Sequence, residues 1–200
     1  MTARIAPAQA PSLADDHALL VDAVRAAGRI AARYFRKPQK TWEKQPDHIV
    51  SEADIEVDRA LHRELTAARP DYGWLSEESE DDLARLGRSR LWVIDPIDGT
   101  HSFLKGRPEF TVAGALAVAG EPVVGAIFNP ITGEMFEAIK GGGARLNGTR
   151  IRVSATRALC DARLIASRTE SAQSTLTERL GVREVMPISS IAYKLALVAA

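Results

Sequence analysis

The sequence has few of the residues that cross-link a chain through disulfides or zinc, and it has no long apolar stretch that could enter a membrane. Its 200 residues include one cysteine, Cys160, so no disulfide can form within the chain and nothing indicates an oxidising compartment. The four histidines are scattered, which disfavours a zinc site. The most apolar stretch, 111–120, is far shorter than the roughly 18 residues of a membrane span. Residues 1–12 lack the apolar core of a secretory signal, so we expect a cytoplasmic protein without a membrane span.

The chain also lacks an excess of charge of either sign. Its 26 Lys and Arg residues balance 26 Asp and Glu residues, with a sequence pI near 6.9. A protein that binds a nucleic-acid duplex usually carries a basic excess, so we expect no nucleic-acid duplex as a partner. What is present, 46% hydrophobic and 26% charged residues, is typical of a soluble globular protein. A chain of this length can bury a core without disulfide or metal staples.

Hydrophobic periodicity predicts two helices in the first third of the chain. An apolar stripe at helical spacing, from Leu19 to Tyr34, predicts a helix that runs to about Phe35, and Asp15 or Asp16 can cap that helix. Ser51, followed three residues later by Asp54, has the form of a capping box and predicts a second helix.

Later in the chain, the hydrophobic residues no longer follow the helical spacing. A polar loop is predicted at 37–47, and from residue 91 buried strand patterns alternate with Gly, Asn and Pro turns. A short helix is predicted near 174–180. A last helix is predicted to follow Ser189 or Ser190, with Ile191, Leu195 and Val198 on one face. This order of elements indicates a layered α+β or α/β fold.

Acidic side chains recur at the ends of the predicted elements. Asp54 opens a helix, Glu77 and Glu78 follow a strand, and Asp95 and Asp98 flank a strand end. Each of them alone is explained as a cap, a turn or a solvated loop. Together they suggest a metal site, because clustered carboxylates repel each other and Mg²⁺ prefers oxygen ligands. A pair of such ions clamps the attacking and leaving oxygens in phosphoryl transfer.

The string WVIDPIDGT at 92–100 carries the most information. An apolar strand delivers Asp95 to its carboxyl end, and Asp98 follows on the same turn. Gly99 lets the backbone approach a ligand closely. Thr100 offers a hydroxyl and, if a helix begins there, an N–H group for an anion.

Four blocks, at 50–54, 75–79, 92–100 and 133–148, resemble the inositol monophosphatase superfamily of Mg²⁺-dependent, often lithium-sensitive phosphomonoesterases. The resemblance covers nearly the whole chain from about Leu19. It implies an αβαβα sandwich of helices and sheets. It also implies a small phosphorylated metabolite as substrate, and a homodimer, which family members commonly form.

The resemblance also implies a role for each acidic residue. Glu77, Asp95 and the carbonyl of Ile97 would hold a first Mg²⁺. Asp95 and Asp98 would hold a second, and Glu77 would help to hold a weak third. Glu78 is left open, either beside Glu77 as a supporting residue or exposed on the surface.

The catalytic and phosphate-binding roles fall on neighbouring residues. Asp54 and Thr100 would orient and deprotonate the attacking water, as a carboxylate–hydroxyl pair can. The N–H groups of Gly99 and Thr100 would bind phosphate oxygens.

One motif of the family does not occur in the chain. Members carry a Trp-Asp-x-Ala-Ala motif beyond the segment that matches 195–200, and its Asp is a ligand of the second metal. We therefore expect a fragment, incomplete at its C-terminus, that keeps the first metal site and binds the second metal weakly. The expected organisation is a flexible tail at 1–13, an N-terminal α+β domain with the metal site at 14–148, and the start of a C-terminal α/β domain at 149–200.

The sequence signal for the substrate is thinner. The motif at 109–112, Ser167 with Arg168, and Lys194 resemble the 3′(2′),5′-bisphosphate nucleotidase branch, which converts adenosine 3′,5′-bisphosphate to AMP and phosphate. An arginine could pair with a second phosphate. The alternatives are an inositol-1-phosphate phosphatase and, because a ligand is missing, a non-catalytic metal-binding remnant.

Overall fold

A computed structural model describes residues 11–46, 48–81, 83–168 and 180–200. The helices that we number here are α1 (Leu13–Tyr34), α2 (Glu52–Ala68), α3 (Thr100–Leu104) and α4 (Ile191–Val198). The strands are β1 (Thr41–Gln45), β2 (His48–Ser51), β3 (Gly73–Ser76), β4 (Arg90–Asp98), β5 (Thr111–Val118), β6 (Glu121–Asn129), β7 (Glu134–Ile139), β8 (Gly143–Leu146), β9 (Thr149–Arg150), β10 (Arg163–Ala166) and β11 (Glu184–Pro187). Short 3₁₀ turns lie at Ala84–Gly87 and Leu159–Asp161.

A seven-stranded sheet forms the centre of the fold. Its order is β3-β4-β5-β6-β7-β8-β9; β3 and β4 are parallel and all other neighbours are antiparallel. Helices α1 and α2 pack on one face, over a core that includes Trp92, Leu116 and Phe128. On the other face Tyr193 of α4 packs edge-on against Phe136. The result is the layered α/β fold that the sequence predicts.

Both long helices begin at capping boxes. Helix α2 begins after Ser51 as predicted, and its Asp54 carboxylate accepts a hydrogen bond from the Ser51 N–H at 2.8 Å. Helix α1 begins earlier than predicted, because Ser12 is its cap and Asp15 is the partner residue of the box. Asp16 is not a cap at all, since its side chain is buried between other elements.

The segment predicted as a polar loop contains a β-hairpin. Strand β1 pairs antiparallel with β2, with Thr41 opposite Ser51 and Trp42 opposite Val50. Every residue of β1 is exposed, so no alternation of apolar side chains marks it in the sequence. The hairpin is continuous with α2, because the Glu52 N–H donates to the Lys40 carbonyl at 2.9 Å.

The last helix begins after Ser190, one of the two predicted caps. The Ser190 hydroxyl accepts from the Tyr193 N–H at 3.1 Å. Ile191, Leu195 and Val198, predicted to share one face, are 64%, 67% and 62% exposed.

Some of the predicted organisation lies outside the described residues. This applies to residues 1–10 of the expected tail and to most of the helix expected near 174–180. The domain boundaries therefore remain a prediction. No helix in the described ranges combines the length and the apolarity that crossing a membrane requires.

Candidate active site

Asp95, near the carboxyl end of β4, has one carboxylate oxygen that finds no hydrogen-bond partner among the described residues. The regular pairing of β4 with β5 is interrupted between Asp95 and Asp98. Asp95 Oδ1 is buried and has no hydrogen-bond partner among the described residues. Burial, followed by the charges of Glu77 and Asp98, raises the pKa of Asp95 to about 9. The site therefore brings together carboxyl groups whose mutual repulsion and burial disfavour the ionised form of Asp95.

Glu77 reaches the same place from the neighbouring strand. Because β3 and β4 are parallel, their carboxyl ends meet at one edge of the sheet. The Glu77 N–H continues the ladder by donating to the Ile94 carbonyl at 3.3 Å. Glu77 also hydrogen-bonds Asp95, which contributes to the raised pKa of Asp95. The two carboxyl groups are thus held together by the sheet.

This donor set fits a hard divalent cation. It offers several carboxylate oxygens and one buried oxygen, Asp95 Oδ1, that needs a partner. Mg²⁺ takes oxygen ligands of this kind. An added positive charge would also relieve the repulsion that raises the pKa of Asp95.

A carboxylate–hydroxyl pair lies beside the cluster. Thr100 Oγ1 is 3.1 Å from Asp54 Oδ1 and 3.0 Å from the carbonyl oxygen of Ile97. Asp54 is 1% exposed, and burial raises its pKa to about 6. The capping box fixes the other carboxylate oxygen of Asp54, so the pair is positioned to hold or accept a proton at Asp54 Oδ1.

Gly99 makes the turn between β4 and α3. Its φ of +99° is a conformation that residues with a Cβ rarely adopt. A Cβ there would lie 3.1 Å from the Glu109 carbonyl oxygen and 3.2 Å from Ser190 Cβ. Only glycine therefore fits this turn without strain. Phosphate binding by the N–H groups of Gly99 and Thr100 remains a prediction.

Asp98 makes contacts that the sequence did not predict. Its carboxylate accepts hydrogen bonds from the Ser190 hydroxyl, from the Ile191 N–H at 3.1 Å and from the Ala192 N–H at 2.6 Å. It thereby joins the start of α4 to the acidic cluster. The role of Asp98 as a ligand of a second metal remains a prediction.

The predicted substrate contacts lie in two elements. Arg168 forms an ion pair with Glu109, whose carbonyl oxygen adjoins Gly99. Ser167 and Lys194 are half-buried, the latter within α4. The sequence singled out Arg168 and the motif at 109–112 separately, but it did not indicate that they meet.

Two residues of the β1–β2 hairpin, which no sequence pattern marked, reach the acidic cluster. His48 Nε2 lies 3.3 Å from Glu77 Oε1 and 3.6 Å from Glu78 Oε1. Lys44 Nζ lies 3.5 Å from Glu78 Oε2 and also donates to the Glu77 carbonyl. The Glu78 side chain is only 4% exposed, so of the two alternatives for Glu78 the structure favours the position beside Glu77.

The fold is that of a layered α/β protein with a cluster of carboxylates at the carboxyl ends of β3 and β4. A model of the inositol monophosphatase family matches residues 13–200. The chain belongs to this family.

Named relatives agree with that assignment. The chain is 44% identical over 146 residues to an inositol-1-monophosphatase of Rhizobium meliloti and 37% identical over 141 residues to a histidinol-phosphatase of Chlorobaculum parvum. These matches cover 72% and 70% of the chain but 54% of each relative. The crystal structure of the extragenic suppressor protein suhB of Bartonella henselae superposes with a TM-score of 0.82 at 34% identity, over 93% of this chain and 75% of that one. The chain thus spans about half the length of the curated relatives it matches.

Proposed function

We propose that this protein is a Mg²⁺-dependent phosphate monoester hydrolase that acts on a small phosphorylated metabolite. The observation that carries the proposal is the buried, unpartnered oxygen of Asp95 among the carboxylates at the β3–β4 edge. A purely structural carboxylate would be paired within the fold. Membership of the inositol monophosphatase family supports the same chemistry.

We assign to these residues the roles that the family resemblance implies. Glu77, Asp95 and the Ile97 carbonyl would hold a first cation, and Asp95 with Asp98 a second. When bound, the cations would neutralise phosphate oxygens and lower the pKa of water. The Thr100 hydroxyl orients the attacking water, and Asp54 Oδ1, 3.1 Å from it, takes up the proton.

The favoured substrate is inositol 1-phosphate. The relative that is 44% identical bears the name inositol-1-monophosphatase. This reverses the order that the sequence motifs suggest. Arg168, expected to bind a second phosphate, is paired with Glu109, so that carboxylate already offsets its charge.

A bisphosphate nucleotide is the second candidate. The ion pair of Arg168 adjoins the turn at Gly99 through Glu109. An incoming phosphate could therefore exchange with the Glu109 carboxylate as the partner of Arg168.

The test is phosphate release from inositol 1-phosphate, adenosine 3′,5′-bisphosphate and histidinol phosphate, each with Mg²⁺ and with EDTA. We expect Mg²⁺-dependent release, highest for inositol 1-phosphate and reduced by lithium. Arg168→Ala should lower turnover of the bisphosphate only if the second candidate is right. The absence of release from all three substrates would favour the non-catalytic remnant.

A further inference from the structure

The β1–β2 hairpin brings an imidazole to the outer side of the acidic cluster. His48 Nε2, Glu77 Oε1 and Glu78 Oε1 converge, and donor atoms of these three residues lie within 4.8 Å of one another. We propose that these three side chains form a separate site for a divalent transition-metal ion such as Zn²⁺. The proposal shares Glu77 with the magnesium centre and rests on the proposed function only for that shared side chain.

The spacing of the donors matches a coordination sphere better than a hydrogen bond. Ligands about 2.1 Å from a tetrahedral ion lie about 3.4 Å apart. The observed separations are 3.3 Å to Glu77 and 3.6 Å to Glu78. A charge-assisted hydrogen bond would be about 2.7–2.9 Å long. His48 Nε2 therefore lies at ion-pair distance from both carboxylates, farther than a charge-assisted hydrogen bond to either.

The burial of the three donors suits an ion that enters from solvent. Glu78 is 4% exposed, whereas the side chains of Glu77 and His48 are 43% and 33% exposed. One ligand is therefore held by the protein, and two line an open side. Lys44 Nζ lies 3.5 Å from Glu78 Oε2, whereas His48 faces Glu78 Oε1. Lys44 and His48 therefore contact different oxygens of Glu78.

The imidazole decides the kind of metal. Nitrogen ligands suit Zn²⁺, Ni²⁺ and Cu²⁺, whereas Mg²⁺ is selected by oxygen ligands alone. The Asp95 cluster offers only oxygens. It should therefore bind Mg²⁺, whereas the His48 site should prefer a transition metal. A transition metal at His48 would compete with the magnesium centre for Glu77.

The test is a Zn²⁺ titration of the untagged, ¹⁵N-labelled chain in excess Mg²⁺, observed through the ring nitrogens of the histidines. We expect the His48 Nε2 resonance to shift at one equivalent, while the rings of His17, His62 and His101 stay unchanged. His48→Gln should weaken Zn²⁺ binding, measured by calorimetry, by about tenfold or more. His62→Gln, whose ring packs on Trp74 away from the carboxylates, is the matched control and should bind Zn²⁺ like the wild type.

Unshifted His48 resonances, or equal Zn²⁺ affinity in His48→Gln and wild type, would overturn the proposal and leave His48 as an ion-pair partner of the glutamates. Glu78→Gln provides a second variant and should weaken Zn²⁺ binding in the same direction. Asp95→Asn separates the two proposals, because it should remove Mg²⁺ binding and keep the Zn²⁺ response of His48. Zn²⁺ binding without phosphatase activity would defeat the proposed function alone.

Discussion

Two aspartates lie at opposite ends of strand β4: Asp16 of α1 contacts its first residue, Arg90, and Asp95 lies near its carboxyl end. At the start of β4, Asp16 is 0% exposed and accepts hydrogen bonds from Arg69 Nε at 2.7 Å, Tyr72 Oη at 2.8 Å and Arg90 Nη1 at 2.6 Å. At the other end, Asp95 Oδ1 has no hydrogen-bond partner in the described part of the chain. We infer from this difference that the Asp16 carboxylate stabilises the fold and that the Asp95 carboxylate binds a ligand. What distinguishes the two aspartates is the hydrogen bonds that their carboxylate oxygens make, because buried polar groups in folded proteins are normally paired.

Asp95→Asn should give the largest effect. Removing this charge should abolish Mg²⁺ binding and lower kcat on the order of 10³-fold or more, because a catalytic metal contributes several kcal/mol. The variant should still unfold at a temperature no lower than that of the metal-free wild type, since asparagine cannot acquire the charge that burial and the neighbouring carboxylates disfavour at this position. Turnover and thermal unfolding, measured on the same preparation, check both halves. Retained turnover would refute the site.

Asp16→Ala should show the opposite pattern. It leaves two partly buried guanidinium groups without their carboxylate, so the free energy of unfolding should fall by about 3 kcal/mol. Mg²⁺ binding by the folded protein should be unchanged. Urea unfolding measures the loss. Asp81→Asn, which breaks the exposed ion pair with Arg85, is the control and should change stability far less. Equal losses in the two variants would remove the contrast.

Thr100→Val tests the proton-handling pair without touching a carboxylate. The loss of the hydroxyl beside Asp54 should lower kcat by about 10²-fold and leave Mg²⁺ affinity unchanged. Thr100→Ser keeps the hydroxyl and should recover most of the rate. If valine and serine act alike in steady-state assays, the hydroxyl has no part in the reaction.

The pH dependence of stability gives a smaller but sharper effect. Burial and neighbouring charges raise the pKa of Asp95 from 3.8 to about 9, so between those values the folded state binds more protons than the unfolded state. Stability of the metal-free protein from this group is therefore fully present below pH 3.8 and is lost as the pH rises toward about 9. Thermal unfolding over this range should show the decline, and Asp95→Asn should reduce its slope. Identical slopes would contradict the assigned origin of the shift.

The sequence predicted the features that depend on neighbouring residues, such as helix starts and buried strands. The S-x-x-D box located the start of α2, and the apolar run before Asp95 located β4, because capping and hydrophobic patterning are properties of neighbouring residues. The layered fold follows from the order of such elements. Residue patterns alone did not show that Glu77 meets Asp95, because this contact depends on β3 lying parallel to β4. The family resemblance implied it.

What the sequence did not predict depends on distant contacts. Strand β1 is wholly exposed and is held by backbone pairing with β2, so it leaves no hydrophobic signature. His48 acquires its place beside Glu77 from that hairpin. The sequence placed Ile191 on an apolar face of α4 but did not show which side of the helix packs: Ile191 is 64% exposed, and Tyr193 makes the packing contact. The contacts of Asp98 with the start of α4 likewise join residues more than ninety positions apart.

The most direct test of the account is a calorimetric Mg²⁺ titration of wild type, Asp95→Asn and Asp16→Asn near neutral pH. The account predicts saturable Mg²⁺ binding in the wild type, with one site clearly stronger than any other. Asp16→Asn should keep this binding and Asp95→Asn should lose it. Two equally strong sites in the wild type would contradict the expectation of a weak second site. Equal binding in wild type and Asp95→Asn would show that Asp95 is not a ligand of the metal.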